Sequence, residues 1–195
     1  QSQQWWEDNF ILYRWKADTL PRETPQEDKI RLTKYVIYEV HGSLQKTPEF
    51  QHALWELPFE EQNLNTKSAS KKNNLLRKQL TRQDIIGGAL ENEHKNKARP
   101  LVWLTEEGVY EAILQGTIAV KLPQNKTRWF NVHRSNEMPY IRGVAQKDQH
   151  RYWFFRIVEG AYGWGNDDFG KIQVESMVTV AGDVENLGLG QIIWL

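Results

Sequence analysis

Three carboxylate settings in this 195-residue chain could support acid–base chemistry. Asp183 stands in Ala181-Gly182-Asp183-Val184, where small neighbours would let a ligand approach closely. Asp167 and Asp168 follow Trp164-Gly165-Asn166. Glu39 lies in Tyr38-Glu39-Val40-His41, with His41 as a proton partner two residues on. A carboxyl partly desolvated by its neighbours keeps its proton near neutral pH and can act as a general acid. A solvated or turn-capping carboxylate is the commoner use of each setting. Asp183 is the candidate retained for a catalytic role.

Other chemistries find less material. There is no cysteine, which removes disulfides, thiolate nucleophiles and cysteine-based metal sites. The five histidines, at 41, 52, 94, 133 and 150, show no metal-ligand spacing. No nucleophile elbow, P-loop or dinucleotide fingerprint occurs. No metal and no cofactor are therefore expected. Lys+Arg and Asp+Glu balance at 25 each, which argues against bulk capture of nucleic acid or of an anionic membrane. No apolar run approaches the ~18–20 residues that span a bilayer. The nine Trp could stack on sugar rings, although core packing is the commoner use of Trp. Lys67, Lys71, Lys72, Arg77 and Lys78 form a basic stretch that reads as a solvated loop or as a contact for an acidic partner.

These residues need elements to position them. Asp8 to Trp15 alternates loosely like a strand, and Ile30 to Val40 is rich in β-branched, aromatic and aliphatic residues. Glu60 to Lys78 is polar enough to read as a long mobile surface loop. Thr81, with Asp84 three residues on, predicts a capped helix over Gln83 to Glu91. Leu101 to Leu104 predicts a buried strand, and Thr105 caps a helix reaching Leu114. Ile118–Leu122 and Thr127–Val132 flank Pro123-Gln124-Asn125-Lys126 as a hairpin. Tyr152–Val158, Met177–Val180 and Gln191–Leu195 are further strands, with a Gly-rich loop from Gly160 to Gly170. Many short strands and few helices predict a mainly β fold, with a barrel as the favoured architecture.

Several ordered segments carry a resemblance. They include Arg31-Leu32-Thr33-Lys34-Tyr35, Glu49 to Pro58, Leu80 to Leu90, Leu114-Gln115-Gly116-Thr117, Asn136-Glu137-Met138-Pro139-Tyr140, Tyr152 to Arg156, and Ala181-Gly182-Asp183 through Trp194-Leu195. Each is short, but their shared order and spacing resemble the membrane-bound lytic transglycosylase A family, MltA, whose members cleave the glycan strands of bacterial peptidoglycan. The family's L-T-G-Y-Y-x-P motif resembles Leu32 to Tyr38, with Thr33 and Tyr35 matching and Lys34 replacing the glycine. Its Q-G-S-G turn resembles Gln115-Gly116-Thr117, and its N-G-H-x-Y segment matches at Asn136 and Tyr140. The resemblance implies a double-psi β-barrel-like domain with a reduced, inserted β-rich lobe and a few short helices. That places an N-terminal extension at 1–29 and the barrel at 30–195, with the lobe at roughly 91–150.

The resemblance also implies a site and a setting. Thr33, Tyr35, Gln115, Gly116, Thr117, Asn136 and Tyr140 would border a glycan-binding cleft. The family's catalytic aspartate sits in a D-x-G-G-A-I segment that is not found in this sequence. On the preferred alignment Asp183 is a structural aspartate; a rival alignment makes it the acid. The leading expectation is thus a protein that recognises peptidoglycan glycan strands without efficient catalysis. The alternatives are an active lytic transglycosylase yielding 1,6-anhydromuramic products, and a structural component of a larger envelope assembly. Partners would be peptidoglycan glycan strands, with other cell-envelope proteins as further candidates. Gln1 in place of Met fits removal of a signal peptide, hence export to the periplasm or cell envelope, and fits simple trimming equally. The chain lacks the lipid-attachment cysteine that many members carry.

Overall fold

A computed structural model of the chain describes residues 2–9, 32–165, 171–176 and 178–182. The chain divides into two units, residues 1–35 with 177–195 and residues 36–176. The first unit holds helix α1 (Gln3–Asn9) and the antiparallel pair of β1 (Leu32–Lys34) and β10 (Val180–Gly182). Asp8 and Asn9 end that helix instead of starting a strand; the rest of the expected strand lies outside the described residues. The Ile30–Val40 run does not form one strand. Its residues supply β1 in the first unit and β2 (Tyr38–His41) in the second.

The second unit is built on a four-stranded mixed sheet ordered β2–β5–β6–β7, with β5 at Thr117–Leu122, β6 at Lys126–Ser135 and β7 at Trp153–Val158. β5, β6 and β7 pair antiparallel, whereas β2 runs parallel to β5. Parallel neighbours need a crossover. Here it consists of the β3 (His52–Trp55) and β4 (Pro100–Leu104) pair followed by α5 (Glu106–Gln115). In a further pair, β8 (Tyr162–Gly165) lies within the stretch read as a Gly-rich loop and pairs with β9 (Lys171–Gln173), which follows it. The fold is mainly β with a few short helices, as expected. Among the described residues the sheets are open, and they close no barrel.

Local sequence explains the elements between the strands. Thr81 caps α4 (Arg82–Ile86) in a full capping box with Asp84, and the helix stops at Gly87, short of the expected Glu91. The Thr105 side chain accepts the Gly108 N–H at 3.1 Å to start α5. Gly116 ends it at φ 76°, a left-handed conformation that costs glycine little. The core gathers α5 and the sheet faces. Val102, Leu104, Val109, Ala112, Ile118, Val120, Phe130, Phe154 and Phe155 are all buried. Trp55 meets Trp103 edge-on at 6.5 Å.

The segment read as a mobile loop is folded. Phe59–Glu61 forms a 3-10 turn, followed by α2 (Thr66–Ser70) and α3 (Leu76–Gln79). Ala69 and Leu75 are buried, and so are Glu61 and Arg77. The polar composition that suggested solvation hides an internal ion pair: Arg77 Nε donates to both Glu61 carboxylate oxygens, at 3.0 and 2.9 Å.

One close approach binds the two sheets of the core. Gly42 follows β2, and Ser43 exchanges two backbone hydrogen bonds with Trp103 of β4, at 2.9 and 2.8 Å. A Cβ on Gly42 would lie 2.7–2.8 Å from Leu104 Cδ2, Trp103 O and Val120 Cγ1. One of those atoms is backbone carbonyl held in the ladder, so it cannot swing aside. Gly42→Ala should therefore destabilise by about 1–3 kcal/mol through overpacking. Urea unfolding would show it as a lower midpoint at constant slope; an unchanged midpoint would mean that the β2–β4 crossing yields.

Candidate functional site

The residues expected to contact a ligand fall into three groups. Thr33 lies in β1 opposite Ala181, and half-buried Tyr35 follows that strand. The pairing sets the Leu32-Thr33-Lys34 segment beside Val180-Ala181-Gly182, which is far away in sequence and leads into Asp183. Asp183 itself lies outside the described residues, as do Asp167 and Asp168.

Gln115, Gly116 and Thr117 form the second group, at the junction of α5 and β5. Gln115 is half-buried. The Gly116 carbonyl accepts the Val132 N–H at 2.8 Å, which locks the turn onto β6. Thr117 is buried, and its hydroxyl accepts from Asn131 Nδ2 at 2.8 Å and donates to the Tyr162 carbonyl at 3.2 Å. Asn131 Nδ2 reaches the same carbonyl at 2.7 Å. Thr117 thus ties β5, β6 and β8 together.

The third group is a braced loop, residues 136–151. Asn136 is 1% exposed and sits at its mouth. Its Nδ2 donates to the Leu80 and His150 carbonyls, both at 2.9 Å, and its Oδ1 accepts the Tyr152 N–H at 3.0 Å and the Met138 N–H at 3.3 Å. Buried Gln149 staples the loop's middle, accepting from Ile141 N at 2.9 Å and donating to the Ile141 and Val144 carbonyls. Arg82 of α4 donates to the Arg151 and Gln146 carbonyls at 2.7 and 2.6 Å. Its guanidinium also lies 5.9 Å from the centre of the Tyr110 ring on α5. Arg151 Nε donates to the Met138 carbonyl at 2.7 Å. A loop with no buried hydrophobic side chain is held here by side chains that satisfy its backbone. Its crest carries Tyr140, 60% exposed, and exposed Ile141.

The geometry separates positioning from contact. Asn136 and Thr117 turn their polar atoms inward, whereas Tyr140 and Gln115 retain surface. Glu39 is also resolved: it is an exposed carboxylate 3.2 Å from Lys121 Nζ, opposite in character to a desolvated acid. Two other carboxyls have displaced titration. The Thr81 hydroxyl and backbone N–H hold Asp84 below the usual carboxylate range. For Glu137, burial pushes upward, but hydrogen bonds from Lys78 and Arg77 outweigh it and hold the group low. Both move away from the direction a proton donor needs. Among the described residues no group of His, Cys, Asp and Glu is placed to hold a metal.

A cleft of about 380 Å³ lies elsewhere in this unit, between the Phe59 turn, α3 and the 94–97 turn. None of the residues expected from sequence lines it. Phe59 directly precedes the segment read as a loop, and its exposure is evident only from the structure.

No protein-family model matches the chain, and no curated protein matches it. Among solved structures the chain is similar to lytic transglycosylases of the MltA type. The crystal structure of MltA from Neisseria gonorrhoeae matches at 16% identity and TM-score 0.49, over 66% of this chain and 50% of that one. E. coli MltA with bound chitohexaose matches at 15% identity and TM-score 0.48, over 71% and 46%. The lytic transglycosylase LtgG of Burkholderia pseudomallei matches at 17% identity and TM-score 0.45, over 72% and 48%, so the chain spans about half the length of each structure it resembles.

Proposed function

We propose that this chain is an MltA-like, exported cell-envelope protein that recognises peptidoglycan glycan strands, and that the described part of it binds rather than cleaves them. The observation that carries the reading is Tyr140. It is an exposed aromatic on a loop braced by Asn136, Gln149, Arg82 and Arg151, in a segment whose Asn136 and Tyr140 match the family's pattern. A braced aromatic face can stack on a sugar ring without first losing loop entropy. Gln115 supplies an amide that both donates and accepts. Thr33 and Tyr35 are proposed as contacts on their own unit, while Gly116, Thr117 and Asn136 position the others. Binding without cleavage is supported by four of the described carboxyls: Glu39 is solvated, Glu61 is neutralised by Arg77, and Asp84 and Glu137 are held low. No helix among the described residues is long and apolar enough to cross a membrane.

Sedimentation with purified sacculi tests this. The chain should pellet with them and release no 1,6-anhydromuramic products. Tyr140→Ala should reduce the bound fraction about five- to tenfold, and Gln115→Ala by less, as expected for losing one stacked aromatic or one hydrogen bond. Binding that survives both substitutions would remove the reading. Anhydro products that disappear in Asp183→Asn would replace it with the enzyme reading.

A further inference from the structure

The cleft beside Phe59 is built, not incidental. Its three walls are tied to one another by hydrogen bonds. The Phe59 N–H donates to the Lys97 carbonyl at 2.9 Å, joining the 3-10 turn to the 94–97 turn. Glu60 Oε1 accepts the Leu76 N–H at 2.7 Å, joining that turn to α3. The next residue after each of those two, Glu61 and Arg77, forms the buried ion pair that clamps the same elements a second time. Asn96 is held at φ 64°, a left-handed backbone that is uncommon outside glycine. The walls are therefore fixed before any ligand arrives, which lowers the cost of binding.

The lining has a definite chemistry. Phe59 is 48% exposed, an aromatic face left open to water at the cleft. Around it stand three carboxamides, Asn74, Gln79 and Asn96, with the imidazole of His94. Carboxamides donate and accept at once. That matches hydroxyl groups, which also do both, and does not match a ligand recognised by charge. The two charged residues, Glu60 and Lys97, are of opposite sign, so the cleft as a whole selects no net charge. The volume is near the lower end of the range for ligand sites and suits a short saccharide.

From this lining we infer that the Phe59 cleft is a saccharide site taking a neutral or N-acetylated pyranose, its apolar face on Phe59 and its hydroxyls on the carboxamides. The inference stands apart from the reading of Tyr140, since no residue proposed there lines this cleft.

The test follows backbone amide NMR signals of the isotope-labelled chain during titration with N,N′-diacetylchitobiose and with cellobiose. The expected result is saturable shifts confined to residues 59–60, 74–79 and 94–97. Phe59→Ala and Asn96→Gly should each weaken the response about tenfold. Both positions are exposed, and glycine accepts the positive φ of Asn96, so the fold is kept. Absence of shifts at the cleft with both saccharides overturns the inference. So does an undiminished response in Phe59→Ala. Tyr140→Ala is the separating control: it should leave these shifts intact even if sacculus binding falls, and losing both together would mean that the cleft is not a site of its own.

Discussion

Arg77→Met should lower the folding stability of the second unit by about 3–5 kcal/mol, the cost typical of stranding a buried charge. Arg77 and Glu61 are 1% and 0% exposed, and the guanidinium holds far more than one partner. Its Nε takes both Glu61 oxygens, one terminal nitrogen donates to the Ser135 carbonyl, and the other donates to Glu137 Oε1 at 2.9 Å. Methionine fills much of the volume but, among the described residues, leaves Glu61 with only the more distant Arg134, whose guanidinium approaches to 4.0 Å. Glu61→Leu combined with Arg77→Met should recover part of the loss, since an apolar pair can replace a buried ion pair at little cost. Recovery should be incomplete, because Arg134 keeps its positive charge beside the new apolar pair. Denaturant midpoints of the two single variants and the double variant measure the coupling. Additive losses would mean that the pair is not coupled as the distances indicate. Acid should act in the same place. The carboxyl of Glu137 is depressed in the folded state, so its contribution is present above the usual glutamate range and is lost as pH falls through its lowered value. Arg77→Met should flatten that part of the acid profile.

The same ion pair shows where sequence reading failed. Local rules worked where a few adjacent residues decide the outcome. Thr81 with Asp84 gave the α4 cap, Thr105 started α5, and the Pro123–Asn125 turn joined β5 to β6. Glu60 to Lys78 misled because composition reports average polarity and not pairing. Glu61 and Arg77 are sixteen residues apart and neutralise each other inside the fold, and no periodicity announces that. Strand partners were equally hidden. β1 with β10, and the parallel β2 with β5, are contacts between distant segments. The candidate site was legible as a set of polar residue types but not as directions. Asn136 and Thr117 look like ligand contacts until their hydrogen bonds are followed inward. Tyr140 was expected beside a cleft, but only the structure shows how far it is exposed.

Asn136→Ala should cost roughly 2–4 kcal/mol, an effect larger than its single side chain suggests. The carboxamide meets four backbone groups at once. After truncation the His150 carbonyl still accepts the Arg82 N–H at 2.9 Å. The Leu80 carbonyl and the N–H of buried Tyr152 lose a partner that water cannot easily replace, and each orphaned buried group costs about 1–3 kcal/mol. Asn136→Asp should be no milder despite its matching shape. It loses both donations and places a carboxylate at a site that is 1% exposed, facing two carbonyl oxygens. Hydrogen exchange locates the damage: amides of residues 136–152 should exchange faster, Tyr152 most of all, while α5 stays protected. Tyr140→Ala should leave that exchange pattern unchanged. The two variants therefore separate bracing from contact. If Asn136→Ala weakens sacculus binding in proportion to the loosened loop, Asn136 acts through Tyr140. If binding falls while exchange is unaltered, Asn136 meets the glycan itself and the inward reading of its hydrogen bonds is wrong.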